Sequence, residues 1–411
     1  MRSCPFRFLV SLVLLVGLLS TQVLGAFAHS SSGVDLVEPL QTPFDCSSQK
    51  EISQLECEAL VALFNSTNGP GWTDHEGWLE TITPCGWRGV TCGGGDVIGV
   101  TLGNNNLSGV IPPELGNLNA LTDLDLSFNQ LAGSIPPELG NLTLLINFDL
   151  GNNQLTGSIP PELGNLSSVV NFYLCFNQLS GSIPGELGNL SAVEWMGLKS
   201  NQLSGSIPMQ LGMLSKLKRL NLSINLLSGN IPPDLGNLSA LDHLYIDSNQ
   251  ISGSIPPELG NLVGLHELHL ANNQLGGSIP PELGGLSALE WLDLSSNSLS
   301  GEIPVELADM GALHHLYLNN NNLSGEISPE LAELIALQSL SIGDNELSGS
   351  IPINFVGLSQ LVLFHFANTN LCEPDDLVFQ AWKANFEGSW DGTNVSCPAD
   401  QFWSFLPCVL R

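Results

Sequence analysis

The sequence predicts an α/β solenoid, in which one short structural unit is repeated along an axis. Three observations lead to this prediction: a 24-residue pattern recurs about twelve times over residues 97–371, an asparagine returns in every copy from Asn105 to Asn345 with Thr369 closing the series, and each copy contains a Leu-x-Leu alternation. A fixed period of this length is typical of stacked repeats, because a single repeat cannot bury its own apolar face.

The apolar positions of each copy predict the interior of the solenoid. Leu121, Leu124 and Leu126, with their copies, are predicted to point inward and to stack on the same positions of neighbouring coils. The alternation from Leu124 to Leu126 predicts a short strand with one buried face. The asparagine column is expected to turn the chain out of that strand, with its amide bonding backbone groups that would otherwise be buried and unpaired.

Three further columns describe the rest of each coil. Glycine occupies every copy from Gly109 to Gly349, which indicates a positive φ or a close backbone approach. Isoleucine occupies every copy from Ile111 to Ile351 and is predicted to be buried. Proline follows the isoleucine in all copies except that of Ser328. Because proline has no backbone donor, the wall opposite the strands is expected to be extended or loosely helical.

The Leu-Ser-Gly-x-Ile-Pro signature of these columns resembles the plant-type leucine-rich repeat, and the resemblance covers most of the chain. It implies a right-handed superhelix of about twelve repeats, with a parallel β-sheet along the concave face. More specifically, the chain resembles the ectodomain of leucine-rich repeat receptor-like proteins, with cysteine-containing caps at both ends and no kinase. The family is a binding scaffold rather than a catalyst.

The amino terminus predicts secretion. Residues 1–28 are interpreted as a signal peptide, because Arg2 and Arg7 precede the apolar run at 8–19 and small residues follow it at Ala26 and Ala28. An uncleaved anchor is the alternative, although the run is short for a membrane span. Residues 29–45 are predicted to form a disordered lead-in. The mature protein is therefore expected to be secreted or at the cell surface, without a membrane span.

Residues 46–96 resemble the N-terminal cap of plant-type repeat ectodomains. A short amphipathic helix is predicted over residues 56–65, and three tryptophans follow it, at Trp72, Trp78 and Trp87. Short spacings favour disulfides Cys46–Cys57 and Cys85–Cys92, although four cysteines allow three pairings. A zinc site is the alternative interpretation, which a secretory compartment disfavours.

Residues 372–397 resemble a C-terminal cap, with Cys372 and Cys397 predicted to form one bridge around a helix at residues 375–386. An apolar tail follows at residues 398–411. Cys175 and Cys408 are not assigned to any of these predicted bridges, and we interpret both as free thiols. Intermolecular pairing through Cys408 is the alternative.

The chain is strongly acidic, with a formal charge of −30 and only 10 Lys and Arg against 40 Asp and Glu. This balance argues against nucleic acid and anionic membranes as partners, since both require basic patches. Part of the acidity is a repeating position on the outer wall, which we interpret as a solvated stripe. A column of weak cation sites is the alternative. The position is occupied by Glu114, Glu138, Glu162, Glu186, Asp234, Glu258, Glu282, Glu306 and Glu330.

The positions around each strand vary between copies, and they collect aromatic, histidine and charged residues. All three Tyr, six of the eight His and two Trp fall in these columns, with a basic group toward one end. Large aromatics exposed on a sheet are typical of recognition surfaces. We call this set the concave strip and predict that it binds the ligand: Tyr173, Glu194, Trp195, Lys199, Lys218, Arg219, Asp242, His243, Tyr245, Asp247, His266, Glu267, His269, Glu290, Trp291, Asp293, His314, His315 and Tyr317.

The strip is therefore predicted to recognise an extracellular protein or peptide. Carbohydrate, a cell-wall enzyme to be inhibited, and a structural or ice-binding role of the regular outer wall are alternatives. Metal binding is a further alternative, for which zinc would need three or four converging ligands; the candidate ligands are His243, His266, His269, His314 and His315. No catalytic motif occurs in the repeats, so we predict no enzyme and no cofactor.

Overall fold

The computed structural model describes residues 44–393 and 395–397. The predicted signal peptide at 1–28, nearly all of the predicted lead-in at 29–45 and the apolar tail at 398–411 lie outside the described residues. Within the described part of the chain, no helix is long and apolar enough to cross a membrane.

The N-terminal cap covers the open end of the solenoid. It begins with a 3-10 turn, Cys46–Ser48, and helix α1, Gln54–Ser66, which starts at a capping box between Ser53 and Glu56. One carboxylate oxygen of Glu56 forms the capping box. The other accepts a hydrogen bond from the Val97 backbone N–H at 2.9 Å, which joins the cap to the first coil. The predicted bridges Cys46–Cys57 and Cys85–Cys92 are confirmed. Four aromatic rings pack together beneath them: Phe64, Trp72, Trp78 and Trp87.

The predicted concave sheet is confirmed as a fourteen-stranded sheet, parallel throughout except for its first antiparallel pair. We number the coils 1–12 by the column that runs from Asn105 to Thr369. The strands, in spatial order, are Val90–Gly93, Asp96–Thr101, Asp123–Asp125, Asn147–Asp149, Asn171–Tyr173, Trp195–Gly197, Arg219–Asn221, His243–Tyr245, Glu267–His269, Trp291–Asp293, His315–Tyr317, Ser339–Ser341, Leu363–His365 and Ser389–Asp391.

The asparagine column forms a ladder between coils, as predicted. Asn201 is typical: its Nδ2 donates to the Leu198 carbonyl within its own coil and to the Leu174 carbonyl of the preceding coil, at 3.1 and 3.0 Å. Its Oδ1 accepts from the Leu179 backbone at 3.0 Å. The amide thus pairs backbone groups of the interior that no strand could reach. The inward leucines, such as Leu124, are fully buried around it.

A second set of short parallel strands follows the asparagine turn, and the sequence did not predict it as a sheet. The strands are Ser108–Val110, Gln130–Gly133 and Gln154–Leu155 in one sheet, and Ser180–Ser182, Gln202–Gly205, Leu226–Gly229, Gln250–Gly253, Gln274–Gly277, Ser298–Gly301, Asn322–Gly325, Glu346–Ser350 and Asn370–Cys372 in the other. Each copy of the glycine column from Gly109 to Gly349 has a positive φ, as predicted.

The outer wall is a row of 3-10 turns, which confirms the prediction of an extended or loosely helical wall. The buried isoleucine and the extended proline lead into each turn, and the acidic stripe lies on the turns themselves. The turns are Pro113–Asn117, Pro137–Asn141, Pro161–Asn165, Gly185–Asn189, Met209–Met213, Pro233–Asn237, Pro257–Asn261, Pro281–Gly285, Val305–Asp309, Pro329–Glu333 and Ile353–Gly357.

The C-terminal cap closes the other end. Helix α2, Leu377–Ala384, is capped at its amino terminus by the Asp376 side chain and lies within the predicted range. The predicted bridge Cys372–Cys397 is confirmed. Trp390, on the last strand, contacts Phe364 and Phe366 edge-on at 5.3 and 5.5 Å, so an aromatic cluster covers the last coil.

The prediction of a free thiol at Cys175 is wrong, because this residue is buried and disulfide-bonded. Sequence spacing gave no indication of this bond, since no other cysteine lies near Cys175 along the chain. Cys408 lies outside the described residues.

The asparagine ladder yields a stability prediction. Asn201→Ala should lower the free energy of unfolding by about 2–4 kcal/mol, because it leaves buried backbone donors and acceptors unpaired in a central coil. Chemical denaturation measures this difference. Gln202→Ala, at an exposed neighbouring position, is the matched control and should change stability by less than about 0.5 kcal/mol. Equal effects of the two substitutions would contradict the role of the ladder.

Candidate functional site

The concave strip is built by strict register between parallel strands. Each strand pairs with the next at an offset of 24 residues, as in Trp195 with Arg219 and Arg219 with His243. Equivalent residues therefore lie side by side, about 4.8 Å apart. The first outward column of the strip runs through Trp195, Arg219, His243, Glu267, Trp291 and His315.

The second outward column lies two residues further along each strand. It begins at Tyr173, passes through Gly197 and Asn221, and continues through Tyr245, His269, Asp293 and Tyr317. The strip thus occupies two adjacent rows of one sheet face on coils 4–10. The structure brings the predicted residues of these two rows together.

Aromatic rings of the two rows pack into a continuous ladder across coils 7–10. The Tyr245 and His269 ring centroids are 4.9 Å apart, and those of His269 and Trp291 are 5.5 Å apart. Trp291 also contacts His315 at 4.2 Å and Tyr317 at 5.4 Å. Rings at these separations attract one another, so the ladder forms a preorganised surface.

Glu267 is the charged centre of the ladder. Its carboxylate accepts a hydrogen bond from the Tyr245 hydroxyl and lies 3.3 Å from His269 Nε2 and 3.6 Å from His243 Nε2. Burial alone would raise the pKa of Glu267, but the contacts with His269 and Tyr245 and the charge of His243 outweigh it and lower the pKa to about 2. Glu267 therefore stays ionised throughout the physiological range.

Tyr245 departs from its predicted exposure. Its side chain lies in an outward column but is only 3% exposed, and its ring contacts those of His243 and His269 at 6.0 and 4.9 Å. Burial and the hydrogen bond to the Glu267 carboxylate raise the pKa of the Tyr245 phenol well above its usual range. Tyr245 consequently supports Glu267 from beneath rather than offering a ring to solvent.

The basic group lies at the end of the strip nearer the amino terminus. The Arg219 guanidinium sits 4.9 Å from the centre of the Trp195 ring, a cation–π contact. Lys218 Nζ pairs with Glu194 Oε2 at 2.8 Å. Lys199 is half-buried in the same part of the face. The strip is thus electrostatically asymmetric along the solenoid.

The remaining predicted residues divide into two groups. Asp242, Asp247 and Asp293 are held by local contacts: Asp242 Oδ1 lies 2.7 Å from His243 Nδ1, Asp247 accepts from Ser223, and Asp293 accepts from Ser295. His266 and Glu290 are exposed at the starting edge of the strands, where His314 is half-buried. The first group shapes the site, and the second group is open to a ligand.

Two histidine nitrogens of the ladder are buried without a hydrogen-bond partner among the described residues. They are Nε2 of His269, whose approach to Glu267 lacks hydrogen-bond geometry, and Nδ1 of His315. Burial and the neighbouring His314 lower the pKa of His315, which favours its neutral form. Unsatisfied buried polar atoms are rare in folded proteins. Both nitrogens lie beneath the surface of the ladder, so neither faces a ligand directly.

The histidines do not converge on a point. His243 and His266 lie 6.4 Å apart between ring centres, as do His314 and His315. Within the described residues, no group of three or more His, Cys, Asp or Glu side chains is placed to hold a metal ion. Stacked strands hold these rings side by side, which is the geometry of a surface rather than of a coordination sphere.

An acidic and amide cluster on coils 2–4 was not predicted as part of the site. Asn147 Nδ2 donates to Asp123, and Asn171 Nδ2 donates to Asn147. Burial and the charge of Asp125 raise the pKa of Asp149 to about 6. The repeated Asp and Asn of these strands were the available signal, but such residues are also common on any exposed sheet face.

Comparison with known proteins identifies the repeats and the cap. Residues 53–93 match the leucine-rich repeat N-terminal domain family. Residues 99–118, 120–142, 144–166, 168–190, 216–238, 240–262 and 336–358 match the leucine-rich repeat family, and residues 263–323 match a second leucine-rich repeat family.

Similar proteins include both receptors and shorter proteins. The ectodomain of the Arabidopsis receptor kinase HAESA, solved with the peptide hormone IDA and the co-receptor SERK1, is 34% identical with a TM-score of 0.69 over 78% of this chain and 54% of that chain. A plant ice-binding protein is 28% identical with a TM-score of 0.56 over 79% of this chain and 98% of that chain.

Curated relatives match over shorter stretches. Leucine-rich repeat protein 1 of Arabidopsis thaliana is 45% identical over 75 residues, which is 17% of this chain and 33% of that protein. The chain thus spans about a third of this relative and about half of the receptor ectodomain. The periodic columns, the paired caps and these matches agree, and the chain belongs to the leucine-rich repeat proteins, close to the ectodomains of plant receptors.

Proposed function

We propose that this protein is a secreted recognition scaffold that binds a peptide across the concave strip. The observation that carries the proposal is the continuous ladder from Tyr245 through His269 and Trp291 to Tyr317. Variable residues on four successive coils have no structural need to form one contiguous aromatic surface. Buried aromatic anchors of this kind supply most of the binding energy at protein interfaces.

The polar atoms of the strip match the chemistry of a peptide. A peptide backbone carries alternating N–H donors and C=O acceptors along an extended chain. The strip supplies the exposed His266 and Glu290 at its edge, whose ring nitrogens and carboxylate can pair with these groups. A peptide lying along the solenoid axis would pass both positions in turn, because they lie on adjacent coils.

Similarity to plant receptors supports the same assignment. The HAESA ectodomain was solved with a peptide hormone, and its similarity to this chain extends over most of the repeats. Because this chain spans about half of that ectodomain, the ligand and partners of the receptor do not transfer directly. The ligand of this chain is inferred from the side chains of its own strip.

The shape of the strip favours binding over catalysis. A groove of about 820 Å³ lies between the turns Gly185–Asn189 and Met209–Met213 on the outer wall, away from the strip. The strip itself lies on a sheet face whose edge residues His266 and Glu290 are exposed to water. Three disulfides in the caps favour an oxidising, extracellular location for such a scaffold.

Adsorption to a regular surface such as ice is a second candidate function. The flank strands present two serine-rich columns at 24-residue spacing, as in Ser158, Ser182 and Ser206. The column of Ser158, Ser182 and Ser206 is exposed, and each of these residues faces a left-handed glycine of the next coil, such as Gly181, whose added Cβ would lie 3.5 Å from that of Ser158. The match with the plant ice-binding protein covers 98% of that protein and 79% of this chain.

The strip predicts the outcome of a combined substitution. Peptides selected from a random display library on the wild-type protein should bind the triple variant Trp195→Ala, His269→Ala, Trp291→Ala at least about tenfold more weakly, because two rings of the ladder and the aromatic ring of coil 5 are removed. Tyr245 is left intact in this variant because it is buried. Calorimetry measures the affinity, and circular dichroism measures the melting temperature.

The matched control carries three substitutions on the outer turns, Glu114→Ala, Glu138→Ala and Glu162→Ala, and should bind the selected peptides as the wild type does. Undiminished binding by the strip variant would place the peptide site elsewhere. Selection of oligosaccharides but no peptides from equivalent libraries would contradict a peptide ligand.

Glu267 predicts a pH-dependent contribution to stability. Glu267→Gln should lower the free energy of unfolding near pH 7 by about 1–2 kcal/mol, a screened fraction of the shift of its pKa from 4.5 to about 2. Because the folded pKa is the lower one, the contribution is complete above pH 4.5 and disappears as the pH falls toward 2. Urea denaturation at several pH values measures it.

Glu290→Gln, an exposed acid on the same strip, is the control for Glu267→Gln. Its stability should follow that of the wild type across the pH range. The difference in free energy of unfolding between the wild type and Glu267→Gln should shrink as the pH falls. If it does not shrink, the charge of the Glu267 carboxylate is not the cause of the difference.

The ice-binding alternative makes a separate prediction. If the flank binds ice, the wild-type protein shows thermal hysteresis, and Ser158→Lys, Ser182→Lys, Ser206→Lys abolishes it by disrupting the flat hydroxyl columns. The strip variant should retain the activity. A nanolitre osmometer measures this, and the absence of hysteresis in the wild type removes the candidate.

A further inference from the structure

We propose that a second surface, the rim row, binds a basic, proline-rich segment of a partner protein that carries an apolar residue at every third position. The rim row consists of Phe128, Phe176, Ile224 and Leu226, where the chain turns from the concave sheet to the flank on coils 2, 4 and 6. This surface is separate from the aromatic ladder of coils 7–10, and the inference does not depend on the function proposed for the strip.

The rim row occupies a backbone position that suits small polar residues. The residue before each member of the asparagine column has a φ of 51–57° in all twelve coils that the structure describes. Nine copies are Asn, Ser or Asp, which tolerate this left-handed conformation. The three exceptions are Phe128, Phe176 and Ile224, at φ values of 54, 55 and 56°.

These exceptions are unfavourable for folding and for solubility. A bulky or β-branched residue at positive φ is a steric outlier, and Ile224 is both. The side chains are nevertheless partly exposed, at 39% for Phe128 and 47% for Ile224. Leu226, 48% exposed, stands where neighbouring coils have Gln202 and Gln250. Strained residues held by their surroundings concentrate at functional sites, so an apolar contact surface is the inference that these positions support.

The spacing of the row selects the conformation of its partner. Equivalent residues of alternate coils are about 9.6 Å apart, twice the strand spacing. A polyproline II helix rises about 3.1 Å per residue, so every third side chain returns to one face after about 9.3 Å. Side chains on one face recur after about 6.7 Å in a β-strand and after about 10.5 Å over two turns of an α-helix. Neither distance matches the spacing of the row.

Backbone hydrogen bonding also disfavours an added β-strand at this rim. The backbone N–H of Phe128 donates to the Gly151 carbonyl, that of Phe176 to Lys199, and that of Ile224 to Asp247, at 2.9, 2.9 and 3.0 Å. Strand addition requires a free backbone edge. A polyproline II segment needs no such edge, because it is recognised through its side chains.

Charge defines the partner further. Residues 89–198, which include coils 1–4, contain nine Asp and Glu and no Lys, Arg or His. Asp125 lies three residues before Phe128 in the same coil, and Asp149 lies beside it on the next strand. Four of these acids, Glu114, Glu138, Glu162 and Glu186, lie on the outer turns, so the acids beside the row are those around Phe128. Lys199, Lys218 and Arg219 follow on coils 5 and 6, where Lys218 is paired with Glu194. Basic residues at the coil 2 end of the partner would therefore complement Asp125 and Asp149.

A synthetic peptide of four Leu-Pro-Lys units tests the inference on the full secreted protein. Fluorescence anisotropy should show saturable binding that weakens at high salt. Phe128→Asn, Phe176→Asn, Ile224→Asn should weaken it at least about tenfold. The melting temperature should change little, because relief of the left-handed strain offsets the lost partial burial. Ile224→Asn alone should weaken binding by a smaller factor. This single variant tests the inference if the triple variant does not fold.

Matched controls distinguish binding at the rim row from nonspecific hydrophobic binding. Met213→Gln, Val263→Ala and Ile335→Ser remove exposed apolar side chains from the outer wall and should leave binding unchanged. The strip variant should also bind normally, so failure here is distinct from failure of the concave strip. Peptides of Ser-Pro-Lys or Leu-Pro-Glu units should not bind. Binding by the Ser-Pro-Lys peptide, equal binding by the triple variant, or no binding of the Leu-Pro-Lys peptide would overturn the inference.

Discussion

The asparagine ladder is the interaction on which the rest of the structure depends. Each amide joins carbonyls of two coils and accepts a backbone N–H of the preceding coil, as Asn201 does. These bonds hold the turn after every strand in the same place, so the 24-residue offset never changes. Because the offset is constant, residues at one position of the repeat form a straight column, and every surface of the molecule is a set of such columns.

The constancy of the columns explains what the sequence could predict. Leucine, isoleucine, glycine and asparagine recur because each has one environment, so burial of Leu124 and the positive φ of Gly133 were predictable from repetition alone. The short cysteine spacings of the caps were equally informative. The flank sheet was harder to predict, because its strands are two to five residues long and most of them end at the glycine column.

The site was predictable in position but not in its contacts. An alternating strand places Tyr245 and His269 on the outward face, and the structure agrees. Whether such a side chain is exposed depends on the neighbours that fold over it, and Tyr245 is buried because Glu267 and His269 surround its ring.

Charge is distributed unevenly along the scaffold, and this separates its surfaces chemically. On the strip, Glu194 is paired with Lys218, and Glu267 contacts two histidines, so cationic or potentially cationic groups lie beside these two acids. On coils 1–4 the acids have no compensating cation in the sequence. Binding at the proposed strip would therefore depend mainly on aromatic contact and hydrogen bonding, which salt screens weakly. Binding at the proposed rim row would gain long-range attraction at its amino-terminal end, which salt screens strongly. The two proposed surfaces would thus differ in how their affinity responds to salt.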